Sequence, residues 1–420
     1  MWKCPVCDQE NTAATVCPAC GYDRTCDYEQ YPTAFTVTTA KPTHTLRREW
    51  QKKQNPPVKP QPWPTVAPAA APVRKKSGLW AVIIAIAVVA IVIAVANREK
   101  PAENTTLVQF CEPSGDDASR VEIQWGSETL SSEAVKEAQK LMDDNSCRNL
   151  RIVESIVDTA SMKKLGKLTS AETIQFVNCE KVADLKRLSR MTNLSSIALN
   201  SVSYMDLSGI EDIGSLRSLD IFVCPRANLQ GLVNATQLRY LKVRNSRIDS
   251  LPKLENLTNL TKLSLYNNKI SDLEPISNLT NLKYLELDSN QVSDLRPLSN
   301  LTNLTNLSIT SNQVTSLAGL EDLTKLKILK LDYNRINDLQ PLTNLTNLTY
   351  LMLNSNQVSD LRPLSKLTNL ESLSISYNQI TTLSGLENLT NLTYINAFEN
   401  PLTDTSALEV SGCMHALQTN

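Results

Sequence analysis

The chain has 420 residues, of which 41% are hydrophobic, and a formal net charge of −1. This length exceeds one ordinary hydrophobic core and predicts two or three structural units. A near-zero total charge gives no indication of a nucleic-acid partner. The only histidines, His44 and His415, have no plausible catalytic neighbour in the sequence. We therefore expect no enzyme activity and no small-molecule substrate.

The N-terminal segment CPVCDQENTAATVCPACG contains two CxxC pairs separated by nine residues. Two such pairs can place four thiolates tetrahedrally around Zn²⁺ at ~2.3 Å, and the metal would supply most of the folding energy of so short a peptide. A redox dithiol pair and an iron site are the alternatives. The CPxCG sequence at 17–21 resembles the zinc ribbon family, which implies a structural zinc ion in residues 1–26. The candidate ligands are Cys4, Cys7, Cys17 and Cys20.

Residues 27–78 are rich in Pro, Thr, Ala and Lys, and nine Lys or Arg lie between positions 41 and 76 against one Glu. Such a proline content prevents regular helix and sheet hydrogen bonding and predicts a disordered, basic linker. Its positive charges could contact anionic lipid or nucleic acid, although a solvated linker is the simpler interpretation.

Residues 79–96, LWAVIIAIAVVAIVIAVA, contain no charged side chain in 18 positions. A helix of this length spans ~27 Å, close to the hydrocarbon thickness of a bilayer. We predict a transmembrane helix that contacts the lipid bilayer and serves as a signal anchor. Arg74, Lys75 and Lys76 precede the segment, so the positive-inside rule predicts a cytoplasmic N-terminus. The protein would be a single-pass, type II protein of the plasma or inner membrane, with the rest of the chain extracytoplasmic.

Residues 97–149 are expected to form a stalk and a helical N-terminal cap. The sequence SSEAVKEAQKLMDDNSC predicts a helix with Ser131 or Ser132 as its N-cap and an apolar face containing Val135 and Met142. Cys111 and Cys147 flank this cap and could form a disulfide in an oxidising compartment.

The C-terminal two thirds of the chain repeats itself. SDLRPLSNLTNL at 293–304 returns, with one letter changed, as SDLRPLSKLTNL at 359–370. Leucines recur at a constant interval at Leu194, Leu216, Leu238, Leu260, Leu282, Leu304, Leu326, Leu348, Leu370 and Leu392. We call each such unit a rung and count its positions from this leading leucine. Positions one, four and six alternate like a strand with a buried face, and the Asn at position nine can satisfy buried backbone groups along the stack. The Asp-Leu-x-Pro segments predict short turns or 3₁₀ helices on the far wall.

The pattern LxxLxLxxN resembles the leucine-rich repeat family, and its 22-residue length is similar to that of the bacterial internalin-type repeat. The resemblance implies an α/β solenoid, a curved stack of parallel strands with its strands on the concave side. We expect the repeats to occupy residues 150–412, with weaker rungs at 174–188 and 150–171, followed by a tail at 413–420. Cys179 and Cys224 fall at position nine, two rungs or ~10 Å apart, which is too far for a disulfide.

Tyrosines are concentrated at the variable positions of these strands. Seven of the 11 tyrosines in the chain fall on one predicted face, at positions three, seven or eight. They are Tyr240, Tyr266, Tyr284, Tyr333, Tyr350, Tyr377 and Tyr394. Tyrosine combines a large contact area with a polar tip, which suits recognition, although aromatic residues also favour strands for structural reasons.

These features predict a membrane-anchored protein that binds a protein or glycan ligand through the concave face of its repeats. The alternative is a transmembrane signalling or scaffold protein whose cytoplasmic zinc ribbon engages a protein or nucleic-acid partner.

Overall fold

The computed structural model describes residues 2–3, 10–11, 106–113, 118–125, 129–412 and 417–419. The chain divides into two compact units, Met1–Ala87 and Val88–Asn420. In the first unit, β1 (Trp2–Lys3) pairs antiparallel with β2 (Glu10–Asn11). The four predicted zinc ligands, the predicted linker and the predicted membrane segment 79–96 lie outside the described residues. Within the described ranges, no helix is long and apolar enough to cross a bilayer.

The second unit is built on a sheet of 15 strands. Its first strand, β3 (Leu107–Cys111), runs antiparallel to β4 (Arg120–Gln124), and each later strand is parallel to the one before it. The others are β5 (Asn149–Val153), β7 (Thr173–Val177), β9 (Ser196–Asn200), β11 (Ser218–Phe222), β12 (Tyr240–Arg244), β13 (Lys262–Ser264), β14 (Tyr284–Glu286), β15 (Asn306–Ser308), β16 (Ile328–Lys330), β17 (Tyr350–Met352), β18 (Ser372–Ser374), β19 (Tyr394–Asn396) and β20 (Leu417–Gln418).

The leucines of successive rungs stack on one another as the sequence predicted. Leu260, Leu263 and Leu265 are each at most 2% exposed, and equivalent residues of the other rungs are similarly buried. The strand register joins like positions, for example Leu263 to Leu285 and Leu285 to Leu307. Burial of each such side chain stabilises the fold by roughly 1.5–3 kcal/mol, so near-identical sequences recur because each rung packs on a copy of itself.

The N-terminal end of the stack contains the predicted helix together with strands that the sequence did not reveal. Helix α1 (Ser132–Asp144) begins at Ser131, whose hydroxyl accepts a hydrogen bond from the Ala134 N–H at 3.0 Å. Its apolar face, which includes Val135 and Met142, is buried against the core. Strand β4 continues the parallel sheet one strand beyond β5, so the stack begins before the predicted boundary at residue 150. At the other end, β20 lies within the predicted tail and adds a last strand.

Cys111 and Cys147 are free thiols in the structure, and the predicted disulfide between them is not formed. Cys147 occupies the leading position of the first rung and is 2% exposed. In β3, Phe110 packs on the core, so its neighbour Cys111 faces the opposite side of the sheet. The Cys147 thiol instead donates to the Ser119 carbonyl oxygen at 3.2 Å.

The far wall, which is the side of the stack opposite the large sheet, differs between the N-terminal and C-terminal halves of the repeats. In the N-terminal half, β6 (Ile156–Val157), β8 (Lys181–Val182) and β10 (Tyr204–Met205) form a second, three-stranded parallel sheet. The wall also contains α2 (Thr159–Leu165) and 3₁₀ helices at Leu185–Arg190, Ile210–Asp212 and Leu229–Asn234. After the last rung, α3 (Ser406–Ser411) follows β19.

In the C-terminal half, the far-wall segment of each rung is of one of two kinds, and their order repeats every three rungs. Two rungs carry proline in a 3₁₀ helix, a third carries glycine, and the series then repeats. The 3₁₀ helices are Glu274–Ile276, Arg296–Leu298, Gln340–Leu342 and Arg362–Leu364. Gly319 and Gly385 have φ of +103° and +105°, and a Cβ at either would lie 2.5–2.6 Å from the backbone oxygen of Leu295 or Leu361. This period of three rungs accounts for the near-identical sequences at 293–304 and 359–370.

The asparagine at position nine links neighbouring rungs, as predicted. Asn334 is 8% exposed, and its Nδ2 donates to the carbonyl oxygens of Ile309 in the preceding rung (2.9 Å) and Leu331 in its own (3.0 Å). Its Oδ1 accepts from the Val314 N–H at 3.0 Å. Each amide therefore satisfies buried backbone donors and acceptors that no strand partner reaches.

Cys179 and Cys224 take the place of this asparagine near the N-terminus. Both are buried free thiols, which agrees with the prediction that they do not pair. Cys224 Sγ donates to the Leu199 carbonyl oxygen at 3.4 Å, the position-six acceptor that Asn Nδ2 uses in later rungs. Burial raises the pKa of the Cys179 thiol to about 11 and also raises the pKa of the Cys224 thiol, so both groups stay protonated at neutral pH.

Asparagine occupies position nine from Asn268 onward, and its appearance coincides with a change in strand length. Strands β5, β7, β9, β11 and β12 have five residues, whereas β13 to β19 have three. In the later rungs, Asn Nδ2 donates to the position-six carbonyl oxygen of the preceding rung. The position-seven N–H of the rung that contains the Asn therefore needs another acceptor. The Thr310 N–H, for example, donates to the Asp288 carboxylate of the preceding rung at 2.7 Å. The Asn354 and Ser376 N–H groups likewise donate to side chains of the preceding rung, so side-chain bonds replace backbone pairing at the ends of these strands.

We predict that Asn334→Ala lowers the free energy of unfolding by about 3 kcal/mol, because it leaves buried carbonyl and N–H groups of two rungs without partners. The matched control is Asn347→Ala, which removes one exposed hydrogen bond to the Thr324 carbonyl oxygen and should cost well under about 1 kcal/mol. Urea unfolding followed by circular dichroism measures both. Equal losses in the two variants would contradict a special role for position nine.

Candidate binding surface on the sheet

The side of the large sheet opposite the leucines carries positions three, five, seven and eight of each rung. We call this surface the sheet face; it is the side that the repeat resemblance predicts to be concave. The seven tyrosines predicted as ligand-binding residues occupy positions three, seven and eight of their rungs. The register places Tyr240, Tyr284, Tyr350 and Tyr394 in one column at position three. Tyr240 is 39% exposed, and the other six are partly exposed.

Lysine and arginine side chains form cation–π contacts with three aromatic rings of the sheet face. Lys262 lies between two tyrosines, with its Nζ 5.5 Å from the Tyr240 ring centre and 4.7 Å from that of Tyr284. One rung before Tyr266, the Arg244 guanidinium lies 5.5 Å from the Phe222 ring and forms a 2.7 Å ion pair with Asp220. Each cation–π contact contributes about 0.5–1 kcal/mol at a partly exposed site. These contacts favour particular orientations of the rings.

Polar side chains at positions five and seven form a buried row between residues 264 and 376. Ser264 donates to the Glu286 carboxylate at 2.6 Å, and Ser308 donates to Asp288 at 2.7 Å. Burial raises the pKa of Glu286 to about 7, an effect that the Ser264 hydrogen bond partly offsets.

The next carboxylate in this row, Asp332, accepts from the Asn354 amide at 2.7 Å. Burial raises the pKa of Asp332 to about 6. The partly exposed aromatic side chains at positions three and eight flank the row, so they are the groups best placed to meet a partner.

Position eight has a left-handed backbone in every rung from Asn178 to Glu399. Most rungs have Asn or Ser there, and Asn in particular tolerates this conformation, but Val223, Tyr333 (φ 55°), Tyr377 (φ 58°) and Glu399 do not follow this preference. A bulky residue in this region costs about 1 kcal/mol or more. Because every one of these rungs has the same backbone, the strain belongs to the repeat and does not by itself mark a functional position. The sequence contained no direct sign of the backbone strain at Tyr333 and Tyr377.

The described residues do not reach the predicted zinc site, since its four cysteines lie outside them. Within the described ranges, no group of three or more His, Cys, Asp or Glu side chains could hold a metal ion.

Sequence comparisons identify the repeats. Residues 196–340 match the profile described as a leucine-rich repeat region, and residues 324–366 and 368–410 match that of leucine-rich repeats in two copies. A search of curated proteins found no match.

Comparisons with solved structures agree with this result. The internalin InlF from Listeria monocytogenes is 28% identical, with a TM-score of 0.56, over 71% of this chain and 86% of that one. Internalin C2 from the same species is 33% identical over 45% of this chain and 84% of that one, with a TM-score of 0.43. The plant peptide hormone receptor RGFR1, solved in complex with RGF2, is 23% identical over 74% of this chain and 50% of that one, with a TM-score of 0.52.

The second unit therefore contains a solenoid of leucine-rich repeats. The chain is a leucine-rich repeat protein with internalin-like structural neighbours.

We predict that Tyr333→Asn raises the free energy of unfolding by about 1 kcal/mol, because asparagine tolerates a φ of 55° better than tyrosine does. The control Ser355→Asn changes the same position in the next rung, where no aromatic residue is strained, and should have a smaller effect. Urea unfolding of the two variants against the wild type checks this. A loss of stability in Tyr333→Asn would mean that packing of the ring outweighs the backbone strain.

Proposed function

We propose that this protein binds a protein partner through the sheet face of its repeats while its N-terminal part anchors it in a membrane. The observation that carries the binding proposal is the aromatic column at position three, in which Tyr240, Tyr284, Tyr350 and Tyr394 follow the stack in strand register. Tyrosine, tryptophan and arginine dominate the energetically important residues of protein interfaces. A glycan, the other predicted ligand, would meet the same rings.

The dimensions of the sheet face suit a protein ligand. Eleven leading positions, from Ala171 to Leu392, span ~48 Å at ~4.8 Å per strand. A standard interface buries about 800 Å² on each partner, which a surface of this length can supply. The contacts of Lys262 with the rings of Tyr240 and Tyr284 favour particular ring orientations, which lowers the entropy lost on binding. The similarity to internalin InlF, together with a receptor of the same fold described in complex with RGF2, supports a binding role over a catalytic one.

The membrane and zinc assignments are proposals from sequence. Residues 79–96 would cross the plasma or inner membrane once, with the N-terminus in the cytoplasm and the repeats extracytoplasmic. Cys4, Cys7, Cys17 and Cys20 would hold a structural Zn²⁺, whose role is to fold the ribbon. The positive charges of Arg74, Lys75 and Lys76 directly before the membrane segment support this orientation.

A second proposed function is signalling, in which the repeats and the zinc ribbon act as recognition modules on opposite sides of one membrane. In this reading, ligand binding to the repeats is transmitted to a cytoplasmic protein or nucleic-acid partner of the zinc ribbon. A Cys4→Ser variant that keeps ligand binding but loses a cellular response would favour it over simple adhesion.

We predict that Tyr284→Ala/Tyr350→Ala weakens partner binding at least roughly tenfold, because truncation of two central aromatic residues removes large contact areas. The full-length protein in detergent serves as bait in a quantitative pull-down from extracellular extracts. The control Arg296→Ala/Arg362→Ala changes two far-wall residues, each 77% exposed, that are also three rungs apart. It should bind like the wild type. Unchanged binding by the tyrosine variant would remove the case for the sheet face.

We also predict that wild-type protein purified from membranes contains one zinc ion per chain and that Cys4→Ser loses it, because three thiolates leave the tetrahedral site incomplete. The variant should remain in the carbonate-washed membrane fraction, since residues 79–96 are unchanged. Elemental analysis measures the zinc content.

The same preparations test topology by protease treatment of intact spheroplasts. The repeats should be digested and the ribbon protected. The reverse pattern would invert the assigned orientation.

A further inference from the structure

One edge of the large sheet carries a row of positive charges. This edge comprises the residue before each leading leucine and the two residues after it, so we call it the strand-start edge. In the six rungs from Leu216 to Leu326, these positions hold six Lys or Arg and no Asp or Glu. The cations are Arg217, Arg239, Lys262, Lys283, Lys325 and Lys327.

Little within the described part of the chain neutralises this row. Arg239, Lys283 and Lys327 are exposed, and in the described ranges none of the three forms an ion pair. Lys325 donates to the Asn303 amide oxygen at 2.6 Å, and Arg217 donates to the Gly214 carbonyl oxygen at 2.7 Å, so both keep their full charge.

The acidic residues at positions five and seven of these rungs lie further along the strands, and each has a partner. Asp220 pairs with Arg244, Glu286 accepts from Ser264, and Asp288 accepts from Ser308. The sheet face is therefore positive along the strand-start edge, where it attracts negative charge, while the carboxylates toward the strand ends are taken up by neighbours.

Three of these cations recur at every second rung, each followed by an apolar or aromatic residue. The dipeptides are Arg239-Tyr240, Lys283-Tyr284 and Lys327-Ile328. In the strand register, Tyr240 and Tyr284 both neighbour Lys262, and Tyr284 and Ile328 both neighbour Asn306. Successive cations are therefore ~9.6 Å apart at ~4.8 Å per strand. Three residues of a polyproline II segment advance ~9.3 Å, and three of an extended strand ~10 Å.

We propose that the strand-start edge of these six rungs binds an extended acidic segment of the protein partner, with a carboxylate at every third residue. Each carboxylate meets one cation, and side chains between them contact Tyr240, Tyr284 and Ile328. The apolar Ile328 in this series fits a peptide side chain better than the polar surface of an anionic polysaccharide. This inference deepens the proposed function, since it rests on partner binding at the sheet face.

The test uses full-length protein in detergent and a fluorescent peptide in which glutamate occupies every third position among proline and alanine. We expect saturable binding by fluorescence anisotropy that weakens as salt is added, because exposed charges are screened. Lys283→Glu/Lys327→Glu should bind at least about tenfold more weakly. The control Lys269→Glu/Arg335→Glu makes the same change of charge on exposed residues of the opposite strand edge and should bind like the wild type.

Equal weakening by both variants would overturn the assignment to this edge. A peptide of the same composition with its glutamates clustered should bind more weakly, and equal affinity would overturn the spacing. Stronger competition by alginate than by free peptide would assign the edge to an anionic polysaccharide instead. In the pull-down, loss of the partner by Tyr284→Ala/Tyr350→Ala but not by Lys283→Glu/Lys327→Glu would overturn this inference and leave the proposed function standing. Retention by both variants would overturn both.

Discussion

The structure depends on one constraint, which is that every buried backbone group at the end of a strand must find its partner in the adjacent rung. Leucine burial drives the rungs together, but it is not directional. The Asn amide at position nine supplies direction, because a single side chain bonds carbonyl oxygens of two rungs and an N–H of the earlier one, as Asn334 does. The three-residue strands of the C-terminal half follow from this arrangement. In the N-terminal rungs, where Ser, Cys or Val stands in place of this asparagine, backbone pairing extends further and the strands have five residues.

The same constraint explains which features could be read from the sequence. Patterns that repeat with the rung were predicted correctly: the leucine stack, the asparagine ladder and the Asp-Leu-x-Pro 3₁₀ helices. The Ser131 cap was also readable, because capping is local and depends on few residues. Arg120–Gln124 was missed, although Val121 and Ile123 alternate with polar residues as in a strand, because it lies outside the regular period of the leucines.

Other features depend on tertiary contacts that cannot be recognised in a single sequence. Cys147 was predicted as a disulfide partner because it flanks the cap together with Cys111, and only the register showed that it occupies a leading-leucine position. Glu286 and Asp332 resemble solvent-exposed charges in the sequence, and only the burial of positions five and seven identifies them as hydrogen-bonded groups with raised pKa. The column of position-three tyrosines could be predicted because side-chain direction in a strand follows directly from position. The strain at Tyr333 depends on φ, which position alone did not indicate.

The alternation of proline and glycine walls limits how this protein can change length. Gly319 fits because the rung before it presents the backbone of Leu295 and Arg296 within 2.6 Å of where a Cβ would stand, and Gly385 meets Leu361 and Arg362 in the same way. Duplication of a glycine rung alone would place two glycine walls side by side, whereas duplication of a block of three rungs restores every neighbour. Gene duplication in such blocks could therefore lengthen the solenoid in steps of ~14 Å, moving distal recognition residues without repacking proximal ones.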